Sequence, residues 1–161
     1  EPNQTVVNNL KNSHKDINFL KADISDLPFQ NNEYDLVISR SVLHWIKRNY
    51  ILQSLGELLR VTNSLIIISD FFPSTPFKTP YLHDDRLNTY HIDYDPILIG
   101  TGIVEIIKSR VGRIIIKNNQ PKFLEISQKE WKSGKYDWEI VKTSLFKKNK
   151  TLIPMNLRDD F

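Results

Sequence analysis

The chain has 161 residues, a net charge of +3 and no cysteine. That length supports one core of ordinary domain size, and the lack of thiols excludes a disulfide scaffold or a thiolate metal site and fits a reducing cytoplasmic location. The longest apolar run, Leu65 to Ile68, falls far short of the ~20 residues of a membrane-crossing helix, so no membrane span is expected.

Asn3 is placed to cap a helix over Gln4 to Asn12 by accepting an otherwise orphan backbone N–H. A strand is predicted near Ile17 to Leu20, then a polar loop through Phe29, a strand over Tyr34 to Ser39, and a helix from about Val42 or Tyr50 to Val61. Leu52, Leu55, Leu58 and Leu59 recur at helical spacing, with Glu57 and Arg60 read as a surface ion pair. Thr62-Asn-Ser64 takes the turn, Asn63 tolerating a left-handed backbone, and Ser64 to Phe71 forms the next strand. Strands separated by helices imply a parallel sheet with right-handed crossovers. Leu36 to Ile38 and Leu65 to Ile68 read as central strands covered on both faces.

From Phe72 the pattern changes, because Pro73, Pro76 and Pro80 each remove a donor and restrict the residue before them. Residues 72–101 are expected to be a loop or lid, an insertion within a single domain over 1–161. Its density of Tyr, His and Asp suits a pocket for a hydroxylated small molecule, with Tyr90 and His91 as substrate-binding candidates. A helix is predicted over about Gly102 to Arg110, and Arg113 to Lys117 reads as a further strand or none. Phe123 to Ile126 and Trp138 to Phe146 have strand character, joined through a turn at Trp131 to Gly134. Lys142, Lys147, Lys148 and Lys150 read as a solvated strand end rather than a nucleic-acid patch, so no nucleic-acid partner is expected. The histidines are too scattered to predict a metal site.

The stretch Asp23-Ile-Ser-Asp-Leu-Pro-Phe29, followed by Tyr34-Asp-Leu-Val-Ile-Ser39 and Leu43-His-Trp45, resembles class I S-adenosylmethionine-dependent methyltransferases of the type 11-like kind. Leu55-Gly-Glu-Leu-Leu-Arg-Val61 looks like the same family, without its Pro-Gly-Gly turn. The resemblance implies an α/β fold: a Rossmann-like, doubly wound, mostly parallel sheet with a C-terminal antiparallel hairpin, here the strands at Phe123 and Trp138. None of the five glycines follows an early strand, so the family's first strand and Gly-rich loop have no counterpart. The chain therefore reads as an N-terminally truncated fragment, incomplete at its N-terminus, whose donor affinity alone would be weak.

The family pattern assigns S-adenosylmethionine as cofactor. Glu1 would accept from the ribose hydroxyls, Asp23 from the adenine amino group, and the Ile24 backbone N–H would face the ring; the backbone around Ser39, Arg40 and Ser41 would lie near the methionine portion. Asp23 has a second reading, as a cap of its own turn. His44 is the catalytic candidate, since imidazole can take a proton near neutral pH, with packing as its competing role. Two functions follow: a methyltransferase acting on a small-molecule acceptor, saccharides among the candidates, or a non-catalytic fragment or subunit with the methyltransferase fold and no donor binding. A nicotinamide-dependent Rossmann enzyme shares the acidic ribose anchor but gains nothing from Asp-x-x-x-Leu-Pro-Phe.

Overall fold

The computed structural model describes residues 1–73, 75–81, 84–117, 120–127, 129 and 140–149. Helix α1 (Gln4–Ser13) starts where the Asn3 carboxamide accepts from the Thr5 and Val6 N–H groups, and it buries Val7. Strand β1 (Tyr34–Arg40) runs through a one-turn 3₁₀ helix (Leu43–Trp45) and α2 (Ile51–Val61) into β2 (Thr62–Phe71), which lies parallel to β1. A two-stranded ribbon, β3 (Phe77–Tyr81) and β4 (Asp84–His91), and the short α3 (Asp95–Gly100) follow. Strands β5 (Val104–Lys117), β6 (Gln120–Glu125) and β7 (Ile140–Lys148) complete a mixed sheet of order β1-β2-β7-β5-β6, with β7 antiparallel to both β2 and β5.

One face of this sheet carries the core. Ile66 and Ile68 of β2 and Phe146 of β7 pack with Leu55, Leu58 and Leu59 of α2 and with Tyr94, Leu98 and Val104. Val37 packs partly against the same cluster, whereas Leu36 and Ile38 are 46% and 60% exposed. The expectation that Leu36 to Ile38 is covered on both faces is therefore corrected. Among the described strands β1 is at the sheet edge, and α2 covers only the side to which its alternate residues point.

Four further expectations change. Ile17 to Leu20 forms no strand, because an extended segment becomes one only when a neighbour completes its hydrogen-bond ladder. Residues 104–110 are strand, not helix: α3 supplies the helix, with Pro96 in its first turn, and Gly102 at φ 68° redirects the chain into β5. The proline-rich segment expected to be a loop includes the β3–β4 ribbon, and Pro80 is tolerated because a two-stranded ribbon leaves an outer edge on each strand. The antiparallel pair is β5 with β7, and β6 pairs with β5, so the Phe123 strand does not partner the Trp138 strand. Trp131 to Gly134, Trp138 and Lys150 lie outside the described residues.

The α2–β2 junction also needs no left-handed residue. Thr62 is extended at φ −83° and its hydroxyl donates to the Leu58 carbonyl at 2.6 Å, while Asn63 donates to the Asp35 carboxylate at 2.7 Å. Lys148 reaches the same junction, donating to the Leu59 and Thr62 carbonyls at 2.9 and 2.8 Å. A cation on the last carbonyls of a helix is favoured by the helix dipole, so Lys148 is a cap rather than a solvated strand end.

Candidate functional site

Because β1 and β2 are parallel, their C-terminal tips open at one edge of the sheet, where open α/β sheets gather ligands. A cleft of about 380 Å³ lies there, with Glu1, Asp23, Ile24, Ser41, Trp45 and Ile46 among its walls. Glu1 and the Asp23 turn come together because the Ala22 N–H donates to the Glu1 carbonyl at 3.2 Å. The Glu1 carboxylate accepts the Asn3 N–H at 3.1 Å, and both Glu1 and Asp23 are exposed to the cleft side.

Asp23 holds its own turn. One carboxylate oxygen accepts the Ser25 hydroxyl at 2.6 Å and the Ser25 N–H at 2.8 Å. These bonds, the hydroxyl first, hold its pKa below the ordinary 3.8. The turn-cap role and a position on the cleft wall thus coexist in one residue.

Ser39 and Arg40 sit at the tip of β1 but are not among the cleft walls, which come from the next turn instead. Ser41 adopts φ 53°, a costly conformation for a residue with a Cβ, and its N–H donates to the Ser69 carbonyl at 2.9 Å. This kink turns the chain out of the sheet so that Val42, Trp45 and Ile46 face the cleft. Among the described residues the buried Ser39 hydroxyl has no hydrogen-bond partner, an orphan polar group of the sort a polar ligand satisfies.

His44 is buried beneath this turn. Its Nδ1 lies 2.7 Å from Asp70 Oδ1, and its ring touches those of Trp45 at 5.0 Å and Phe71 at 4.9 Å. His91 reaches the same cluster from the ribbon: it stacks on Phe77 at 4.4 Å and lies 5.0 Å from Phe71 and 6.2 Å from His44. Tyr81 meets Trp45 edge-on at 4.8 Å. The ribbon therefore leans over the β1 and β2 tips. Burial, and then the neighbouring His44, push the His91 pKa down to about 4, so this ring is neutral at pH 7.

Tyr90 is separated from His91. Register pairs it with Lys78, whose ammonium sits 5.9 Å from the Tyr90 ring, on the opposite face of the ribbon from the Phe77–His91 pair. Farther along the same sheet edge, a second cleft of about 430 Å³ has Phe72, Asp93 and Lys142 among its walls. Lys142 is no solvated lysine: its ammonium pairs with Asp93 at 3.2 Å and Asp95 at 2.5 Å and lies 4.1 Å over the Phe72 ring. Burial raises the Asp93 pKa against the opposing pull of Lys142.

Sequence reading included Ser41 in the backbone stretch from Ser39 to Ser41 but missed Trp45, Ile46 and Asp70. Asp70 carried a signal, an acidic residue closing an apolar strand run at the ligand edge. The positive φ of Ser41 carried none, since nothing in Ser-Arg-Ser-Val42 announces it.

Residues 1–65 match the family model described as a methyltransferase domain. No curated protein sequence matches the chain. Among solved structures, a SAM-dependent methyltransferase from Methanosarcina mazei superposes with a TM-score of 0.62 at 10% identity, covering 92% of this chain and 79% of the other. A Thermotoga maritima SAM-dependent methyltransferase, described as a possible histamine N-methyltransferase, gives 0.60 at 11% identity, covering 93% and 72%. The Burkholderia thailandensis 1,6-didemethyltoxoflavin-N1-methyltransferase, solved with its substrate and S-adenosylhomocysteine, gives 0.58 at 11% identity, covering 93% and 58%. With its first 65 residues matched by the methyltransferase domain model, the chain has the fold of the class I S-adenosylmethionine-dependent methyltransferases.

Proposed function

We propose that the full-length protein transfers a methyl group from S-adenosylmethionine to a small molecule of the saccharide class; the Tyr, His and Asp content of the ribbon segment supports a hydroxylated acceptor. The observation that carries this reading is the convergence of Glu1, Asp23 and Ile24 on one cleft beside the β1 tip. Two carboxylates and a backbone N–H are the groups that ribose hydroxyls and an adenine edge require, and the orphan Ser39 hydroxyl fits a polar ligand portion near the strand end. Arg40, at the same tip, is the cation available to a carboxylate there.

When bound, the sulfonium supplies an electrophilic methyl group; the protein's share is positioning and, for a protonated acceptor, a base. His44 is the residue we assign to that proton. The ribbon takes the acceptor side, with His91 on its inner face and Tyr90 on its outer face. The ligands of the Burkholderia thailandensis structure support a small-molecule acceptor by analogy of fold only. A chain without cysteine fits a reducing cytoplasm, and no helix among the described residues is long and apolar enough to cross a membrane.

Calorimetric titration of the full-length protein with S-adenosylhomocysteine tests the reading. Saturable binding that Glu1→Ala and Asp23→Ala each weaken is expected. No binding to the folded full-length protein would leave the non-catalytic reading in its place.

A further inference from the structure

Asp70 closes β2 with its side chain buried, and its carboxylate is surrounded by N–H donors. Oδ2 accepts from the Leu43 N–H at 2.9 Å and the His44 N–H at 3.4 Å; Oδ1 accepts from the Phe71 N–H at 2.8 Å and lies 2.7 Å from His44 Nδ1. Both carboxylate oxygens thus serve as acceptors of N–H groups, the role a carboxylate fills. The proton between the two side chains therefore belongs to His44 Nδ1. The same carboxylate grips the backbone of the 3₁₀ turn, so ring and main chain are fixed from one point.

We propose that Asp70 is a positioning residue that holds His44 in the Nδ1–H tautomer and leaves Nε2 as the basic nitrogen of the site. The proposal rests on the methyl-transfer reading for its chemistry: as the acceptor's X–H bond breaks, its proton passes to Nε2, the X lone pair forms the bond to the methyl carbon, and the S–C electron pair returns to sulfur. An imidazole oriented through Nδ1 by a buried carboxylate keeps the accepting nitrogen free of hydrogen, and an amide in the carboxylate's place permits the wrong tautomer. Trp45 and Phe71 flank the ring and limit its rotation.

Long-range ¹H–¹⁵N spectra of ¹⁵N-histidine-labelled full-length protein read this directly, with His44 assigned from the resonance lost in His44→Gln. The native protein should show His44 hydrogen on Nδ1. In Asp70→Asn the hydrogen should redistribute toward Nε2, while S-adenosylhomocysteine affinity stays within a few-fold. Hydrogen on Nε2 in the native protein, or an unchanged tautomer in folded Asp70→Asn, overturns the proposal. The native spectrum decides even if the variant fails to fold. Absence of S-adenosylhomocysteine binding in the native protein would instead overturn the methyl-transfer reading, independently of the tautomer.

Discussion

Glu57 and Leu27 lie 30 residues apart in sequence, and the Glu57 carboxylate accepts the Leu27 backbone N–H at 2.7 Å. Arg60 completes the clamp, donating to Glu57 at 2.6 Å and to the Leu27 and Phe29 carbonyls at 2.9 and 2.7 Å. What the sequence presents as an i, i+3 surface pair fastens the Leu-Pro-Phe end of the cleft-forming loop onto α2. Pro28 has no N–H to offer a neighbouring strand, so these side chains satisfy a backbone that regular structure cannot.

The clamp has a pH signature. Hydrogen bonding from Arg60, with the Leu27 N–H adding to it against the cost of burial, lowers the Glu57 pKa from 4.5 to about 2. A carboxylate depressed in the folded state contributes stability that is full above its unfolded pKa and is lost as pH falls through the folded one. Thermal midpoints should therefore favour the parent over Glu57→Gln by on the order of 5 °C at pH 7, with the gap closing between pH ~4.5 and ~2. A gap independent of pH would show that the carboxylate charge contributes nothing.

His91 acts in the same direction but in a different window. Its folded pKa of about 4 lies below the ordinary 6.5, so between these values the unfolded chain binds a proton the folded one refuses, and stability falls as pH falls. His91→Phe should flatten that decline in urea titrations at pH 6.5, 5.5 and 4.5. On the functional side, His91→Ala should impair acceptor turnover while leaving S-adenosylmethionine affinity within a few-fold, and Tyr90→Ala, on the outer face, should impair it less. Equal losses from both would mean that the acceptor contacts both faces of the ribbon.

The elements legible in the sequence are those whose signals are local. Asn3 announces its helix by capping chemistry, and α2 and β2 announce themselves by leucine spacing and an isoleucine run. Where pairing over distance decides, local pattern fails: Ile17 to Leu20 has strand composition but no ladder, and Val104 to Arg110 has enough charge to mimic a helix until β7 pairs with it. The site divides the same way. Glu1, Asp23 and Ile24 could be named because the resemblance carried by Asp-x-x-x-Leu-Pro-Phe implies their roles, whereas the Asp70–His44 contact joins residues 26 apart through a 3₁₀ turn that no periodicity marks.

Lys142 supplies a test of the second cleft. Its ammonium is the cationic partner of the buried Asp95, which otherwise keeps the Ser144 hydroxyl at 2.8 Å. Removing one member of a buried pair leaves an uncompensated charge, so Lys142→Met should cost roughly 3 kcal/mol in urea unfolding. Lys142→Met combined with Asp95→Asn should recover most of that loss, because the stranded charge is gone. If the double variant is no more stable than the single one, packing around the Phe72 ring, not charge, accounts for the effect.

Asp23 must be examined with Ser25, because one carboxylate serves a turn and lines the cleft beside the β1 tip. Asp23→Ala removes both functions: the Ser25 bonds at 2.6 and 2.8 Å and the acceptor facing the cleft. Ser25→Ala removes only the hydroxyl's bond and keeps the carboxylate. Asp23→Ala should therefore cost on the order of 1 kcal/mol of stability, as for other side-chain caps, and Ser25→Ala less, and the two should also differ in ligand binding. In the full-length protein, Asp23→Ala should weaken S-adenosylhomocysteine by about 1–3 kcal/mol through the partner it leaves unsatisfied. Ser25→Ala should stay within a few-fold of the parent. Calorimetry on the pair separates the roles: equal losses of affinity would make the turn's shape the decisive feature, and an undiminished affinity in Asp23→Ala would return Asp23 to capping alone.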